Sequence, residues 1–214
     1  MTSAAQIASK VARGYGIGAL KLGRTTAIYR PSGAGSPISG GNLIATKLAA
    51  FDTSPAFTFV NPQKFGQTTY YAMLDTTGVM VGDYLVQGSA TYFIATLDDY
   101  AGPMVQRCDR VMTFARPTAV AGQYSGDIRT NETTMLTAWP CVCTYGTKGG
   151  ANVAGLPGDV REPWWTLILP ASAPVQLRSS DVASDDQARP MRYILSSVER
   201  SPLGLRMTAA QAVT

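Results

Sequence analysis

The chain has 214 residues, which suits one large domain or two small ones of about 100 residues each. Hydrophobic residues make up 45% and charged residues 15%, which argues against disorder throughout. It also implies a surface rich in Ser, Thr, Gly and Ala, of the kind that other subunits commonly cover. No histidine occurs, so the commonest general base, the commonest metal ligand and the usual serine or cysteine triads are excluded.

The net charge of +4 is unevenly spread. Residues 1–51 hold Lys10, Arg13, Lys21, Arg24, Arg30 and Lys47 with no acid, so this quarter carries +6 and the remainder −2. That asymmetry predicts a basic face near the N-terminus: either a contact with an acidic partner surface or nucleic-acid backbone, or a solvated arm. From Thr2 to Arg13 the small residues and the pair Ile7/Val11, four apart, predict a short amphipathic helix ending near Gly14. Its apolar stripe is narrow, so it is expected to dock on a neighbour or fray. The glycines of "GYGIGALKLG" then read as a flexible connector. No stretch reaches the roughly 20 apolar residues of a membrane helix, and charge interrupts the apolar run near the start, so neither a membrane span nor a signal peptide is expected.

After Gly23 the texture becomes β. "TTAIYRP", "NLIATKLAAFD", "AFTFVNP", "TTYYAMLD", "DYLVQGSATYFIATLDD" and "PMVQRCDRVMTFARP" read as strands or hairpins. Between the first two lies a Gly/Ser/Pro loop at 32–42, long enough to reach a neighbouring subunit. "RPTAVAGQYSGDIRTNETT" breaks the pattern and reads as an interdomain linker. A second set follows: "MLTAWPCVCTYG", the glycine-rich segment 146–159, "PWWTLILP", "VQLRSSDVAS", "MRYILSSVER" and "LGLRMTAAQAV". Strands every 8 to 12 residues without helical periods predict antiparallel barrels or sandwiches.

The two sets can be laid side by side, "YYAML" against "WWTLI" and "YFIATLDDY" against "RYILSSVER"; Ile94 to Val105 and Ile194 to Leu205 are both eleven residues apart. The expected fold is therefore mainly β: a basic arm with a short helix over 1–22, a first β-barrel over 23–116, a linker over 117–134 and a second β-barrel over 135–214, the barrels related by duplication.

Chemistry without histidine would rest on carboxylates, Lys or Tyr. The pairs Asp98/Asp99 and Asp185/Asp186 fall at expected hairpin turns, where a solvated Asp capping nearby N–H groups outweighs a paired-carboxylate hydrolase. Asp83 and Asp181 precede equivalent strands and are expected to cap turns. Cys108, Cys141 and Cys143 do not make a four-ligand zinc set and read as small buried or half-buried thiols, at home in a reducing compartment. Tyr70/Tyr71 and Trp164/Trp165 each place one ring on either face of a strand. One of each pair should fill a barrel and the other face outward, where a protein interface is favoured over stacking of a sugar or base. Catalytic, cofactor and metal residues are therefore not assigned. The interface candidates are Ile7, Lys10, Val11, Arg13, Lys21, Arg24, Tyr70, Tyr71, Trp164 and Trp165.

In "LPGDVREPWWTLILPA", "VQLRSSDVASDDQARPMRYILSSVE" and "LGLRMTAAQA", and in "AIYRP", "FGQTTYYAMLD", "GDYLV" and "YFIATL", the chain resembles structural proteins encoded in the morphogenesis modules of tailed bacteriophages and prophages. Its strand and turn pattern is more loosely similar to the small β-barrels of head-closure or stopper proteins, and departs from it at "DDQARPMRYI", where Pro190 interrupts the approach to a strand. The resemblance implies a virion component without catalysis, assembled in the host cytoplasm and repeated around a ring at the head-to-tail connection or in the tail. Its implied partners are copies of itself, other neck or tail proteins and, non-specifically, packaged DNA. A carbohydrate- or host-binding virion module whose outward aromatics stack sugars is the alternative.

Overall fold

The computed structural model describes residues 3–58, 66–98, 101–118, 132–146 and 164–212. Helix α1 spans Ala4–Leu22, well past the expected end near Gly14. A capping box opens it: the Gln6 amide donates to Ser3 Oγ at 3.3 Å, and the Ser3 amide donates to Gln6 Oε1 at 3.0 Å. Each glycine in a helix costs about 1 kcal/mol, yet the helix runs on through Gly14, Gly16 and Gly18 because it packs on β2 and β3 of the first barrel, most closely at Gly18. A Cβ on Gly18 would lie 2.2 Å from Met73 Sδ, and one on Gly16 would lie 3.7 Å from the Asp75 Cβ. Gly18 is a close-packing residue, and the expected connector is helix.

Among the described residues twelve strands follow, in two closed six-stranded antiparallel barrels. The first contains β1 (Arg24–Tyr29), β2 (Leu43–Asp52), β3 (Thr69–Leu74), β4 (Tyr84–Gln87), β5 (Ala90–Thr96) and β6 (Met104–Cys108). The second contains β7 (Arg110–Pro117), β8 (Glu132–Gly146), β9 (Trp164–Leu169), β10 (Val182–Asp185), β11 (Arg192–Ser201) and β12 (Gly204–Gln211). Around the first barrel the order is β1-β2-β3-β6-β5-β4, with β4 returning to β1; around the second it is β7-β8-β9-β12-β11-β10, with β10 returning to β7. The topologies are identical. Inward side chains alternate along each strand, as in β3, where Tyr70, Ala72 and Leu74 are buried and Tyr71 and Met73 only half-buried.

The structure moves the expected boundary. Strand 110–117 was assigned to the first barrel but pairs with β8 and β10 of the second, so the barrels part at Asp109. The segment read as an interdomain linker connects β7 to β8 within one barrel, and its middle lies outside the described residues. The segment "AFTFVNP" forms no strand up to Thr58, and its remainder also lies outside them.

The barrels share a buried seam. Tyr84 and Phe93, on the outer face of β4 and β5, pack edge-on with each other and Tyr84 with Trp139 of β8, all three at 0% exposure. Burial of such rings stabilises by about 1.5–3 kcal/mol each. Tyr84 Oη donates to the Pro140 carbonyl at 2.8 Å, and Ser172 Oγ donates to the Gly82 carbonyl at 2.9 Å. The loop at 32–42 does not extend outward: the Ala34 carbonyl accepts from the Thr137 amide and Trp139 Nε1, and buried Asn42 holds the Ser36 and Pro37 carbonyls.

An ion pair marks the duplication. Arg30, just past β1, donates from Nε and Nη2 to the two oxygens of Asp83 at 2.9 and 2.8 Å; Arg116 repeats the fork on Asp181 at 2.8 and 2.9 Å. Each Asp also caps its turn, as expected, by accepting from the Met80 or the Arg178 amide. The residue before each Asp has positive φ, 89° at Gly82 and 74° at Ser180. The Ile94 amide donates to the Asp83 carbonyl and the Leu195 amide to the Asp181 carbonyl, so Ile94 corresponds to Leu195. Val105 pairs with Ile94 and Tyr70, and Ala209 pairs with Leu195 and Trp165. Tyr70 thus matches Trp165, and the expected match of "YYAML" with "WWTLI" is one residue out of register. The equal spacing of Ile94/Val105 and Ile194/Leu205 is coincidental, since Ile194 pairs with Ala210 and Leu205 with Arg200.

Candidate interface surface

Helix α1 lies on β2 and β3 of its own barrel, where docking on a neighbour or fraying had been expected. At 100° per residue, Val11, Tyr15, Gly18 and Ala19 form the inward side and Lys10, Arg13, Ile17 and Lys21 fall within about 80° of arc opposite them. Ala19 is buried and Val11 half-buried, while Lys10, Arg13 and Lys21 are exposed. Arg24, also exposed, opens β1 directly after the helix. None of Lys10, Arg13, Lys21 and Arg24 makes a salt bridge among the described residues. Four of the six expected basic residues thus lie on one helix and its exit, while Arg30 and Lys47 are paired with Asp83 and Asp75.

Apolar side chains are interleaved with these cations. Ile7, Ile17, Leu20 and Leu22 are 42%, 51%, 69% and 55% exposed, and Leu43 and Ile44 at the start of β2 are exposed as well. Ile7 was named from sequence; Ile17, Leu20 and Leu22 were missed because the helix was ended at Gly14. A groove of about 590 Å³ runs between α1 and the first barrel, with Ala12, Arg13, Gly16, Leu20, Leu48 and Asp75 among its walls. Lys47 spans its floor and donates to Asp75 Oδ2 and to the Asp75 and Thr77 carbonyls at 3.1, 2.9 and 2.6 Å. Asp75 is held below the usual carboxyl range mainly by the Thr77 amide, which donates to its Oδ1.

The aromatic candidates are placed as follows. Tyr70 is buried in the first barrel and meets Tyr92 edge-on at 5.6 Å, so it offers no outer surface; Tyr71, opposite in direction, is half-buried. Trp165 points into the second barrel between Tyr145 and Tyr193, with ring centroids 5.7 and 5.8 Å away. Trp164 has the opposite direction on the same strand. A sharp contrast in burial was expected, but both tryptophans are half-buried. They lie near the open end of β9, paired with Ala210 and Ala209 of β12, where even an inward ring keeps some solvent. Among the described residues of the second barrel, Tyr145, Ile194 and Leu203 are exposed large apolar side chains, with Tyr145 at 60%.

The remaining polar candidates lie as follows. Cys141 and Cys143 are buried and Cys108 half-buried; burial pushes all three thiols up, Cys143 to about 12, away from thiolate chemistry. Asp185 is buried rather than solvated, accepting from the Met191 amide at 2.8 Å and from Tyr193 Oη at 3.3 Å. Asp186 is exposed and accepts from the Val111 amide. Asp98 is exposed, and Asp99 lies outside the described residues. Comparison of the chain with protein-family models, with curated proteins and with solved structures gives no match.

Proposed function

We propose that the chain is a non-catalytic structural component of a tailed-phage particle, repeated as a ring at the head-to-tail connection or in the tail. One observation carries the assembly part of this reading: apolar side chains stand exposed on both barrels, Ile17, Leu20 and Leu22 on α1, Leu43 and Ile44 at the start of β2, and Tyr145, Ile194 and Leu203 at separate positions on the second. Exposed apolar groups at unlike positions suit a head-to-tail contact between identical subunits, and such contacts form rings where the rotation closes and filaments where it does not. The buried seam supports this reading, because it keeps the exposed groups of the two barrels in a fixed relation. The unpaired cations of α1 add weak, salt-sensitive attraction to packaged DNA or to other particle proteins.

The sugar-stacking alternative draws on Tyr145, whose exposed ring is braced edge-on by Trp165. Sedimentation velocity and negative-stain micrographs of the purified chain, with mass spectrometry of purified particles, test the main reading. A ring of fixed copy number, or the chain in stoichiometric amount in particles, is expected. A chain that stays monomeric and is missing from particles overturns it, and Tyr145-dependent binding on a glycan array then favours the alternative.

A further inference from the structure

The groove beside α1 owes its depth to residue size. Gly16 carries no side chain where the helix crosses Asp75, and Ala12 is small, while Leu20 and Leu48 form the banks. Its volume of about 590 Å³ falls within the roughly 300–1,000 Å³ of sites that hold compact ligands. The polar groups are unevenly satisfied. Lys47 is saturated by Asp75 and two carbonyls, and Asp75 is held by Lys47 and the Thr77 amide. Arg13, on the helix side, makes no hydrogen bond or salt bridge among the described residues, and Lys10 and Lys21 on the adjacent face make no salt bridge there. Apolar walls combined with unspent positive charge at one edge define the occupant's chemistry.

We propose that this groove binds an acidic, apolar-anchored peptide segment of another protein: a Leu- or Phe-like side chain lies over Gly16 between Leu20 and Leu48, and a flanking carboxylate pairs with Arg13. The fork of a guanidinium suits a carboxylate, and an apolar anchor rimmed by charge is a common form of peptide contact. Nucleic acid fits less well, because it offers no aliphatic group to cover Ile17 and Leu20, 51% and 69% exposed. A second copy of the chain, whose exposed Asp186 and Glu199 could also meet Arg13 while Asp75, Asp83, Asp181 and Glu132 are engaged with Lys47, Arg30, Arg116 and Arg192, is separated from the peptide by the self-association arm of the test. The inference rests on the assembly reading only for the source of the segment, a neighbouring particle protein.

The test uses the full chain and a fluorescein-labelled Leu/Glu peptide, with Leu/Gln and Ala/Glu peptides as controls, read by fluorescence anisotropy. The Leu/Glu peptide is expected to bind about tenfold more tightly than either control, and Arg13→Glu to weaken it by about tenfold. Gly16→Leu is the decisive variant: its Cβ meets only Asp75 at 3.7 Å or more, so the helix persists by circular dichroism while the side chain fills the groove and binding is lost. Peptide binding that survives Gly16→Leu, or equal binding of all three peptides, overturns the proposal. So does a DNA duplex that binds in a Gly16→Leu-insensitive manner and displaces the peptide, or self-association abolished by Gly16→Leu. Failure of the peptide alongside intact ring assembly sinks this inference alone; peptide binding by a chain missing from particles sinks the assembly reading alone.

Discussion

Arg30 and Asp83 lie 53 residues apart in sequence and meet through two parallel hydrogen bonds of 2.9 and 2.8 Å, with the Asp83 side chain 2% exposed. The same residues' backbone ties continue the contact: Arg30 Nη2 also donates to the Gly78 carbonyl, and Asp83 takes the Met80 amide. The pair locks the turn before β4 to the end of β1, where the barrel closes. Hydrogen bonds to charged groups are worth about 1.5–3 kcal/mol, against roughly 0.2–1 for an exposed pair. Asp83→Asn is therefore expected to lower unfolding free energy by about 2 kcal/mol, and Asp181→Asn, at the equivalent fork, by a similar amount. A double-mutant cycle of Arg30→Met with Asp83→Asn in urea denaturation checks this; a coupling no larger than that of an exposed pair would reduce the fork to a surface contact.

The seam gives a second expectation. All three tryptophans belong to the second barrel, so their fluorescence follows that barrel while far-ultraviolet circular dichroism follows both. With Tyr84, Phe93 and Trp139 buried together, the two signals should change at one denaturant concentration. Trp139→Ala is expected to cost about 3–5 kcal/mol and to separate them, and Tyr84→Phe, which strips the Pro140 carbonyl of a donor, about 1–2 kcal/mol with smaller separation. Separate transitions in the unaltered chain would mean that the seam does not couple the barrels.

What the sequence made legible follows from what is local. Alternation in "YYAML" and the Gly88-Ser89 turn between "YLVQ" and "ATYFIAT" announce strands and a hairpin, and both are present. The split between barrels was hidden, since β6 and β7 are separated by Asp109 alone and nothing local says which barrel an eight-residue strand joins. A signal was nevertheless available: Arg30-Pro31 and Arg116-Pro117 close the first strand of each barrel and pair with the Asp of each repeat. The helix was shortened for the opposite reason. Propensity at Gly14, Gly16 and Gly18 opposes helix, and a tertiary contact with β3 overrides it. Trp139, the ring that couples the barrels, sits in a strand whose apolar run looks like any other core strand.

The helix glycines are expected to divide by space rather than by backbone angle. Gly14 has nothing within 4 Å of an added Cβ, so Gly14→Ala should stabilise by about 0.5–1 kcal/mol. Gly23, which caps the helix, has an ordinary φ of −79°, but a Cβ there would lie 2.4 Å from the Ala19 carbonyl oxygen and 2.9 Å from the Ala49 amide, both backbone. Gly23→Ala must therefore push the helix end off β2, and should destabilise the chain and raise amide hydrogen exchange along α1. Equal effects of the two substitutions would show that α1 does not depend on its close approach at Gly23.

Asp75 supplies the pH dependence of this region. Its pKa is lowered chiefly by the Thr77 amide hydrogen bond, then by the Thr77 hydroxyl, with Lys47 adding less and burial opposing. A carboxyl whose folded pKa lies below its unfolded value stabilises the fold above the unfolded value and ceases to do so as pH falls through the folded one. The contribution is thus present at neutral pH and lost below the ordinary 3.8. Because Asp75 sits beneath Gly16 and anchors Lys47, its protonation should loosen α1 on the barrel. Asp75→Asn should melt below the unaltered chain at neutral pH, and the gap should close as the pH drops below 3.8. Hydrogen exchange of α1 at the lower pH should then be alike in both. A gap that persists in acid would assign the Asn effect to lost packing, and the carboxylate would have no part in holding the helix.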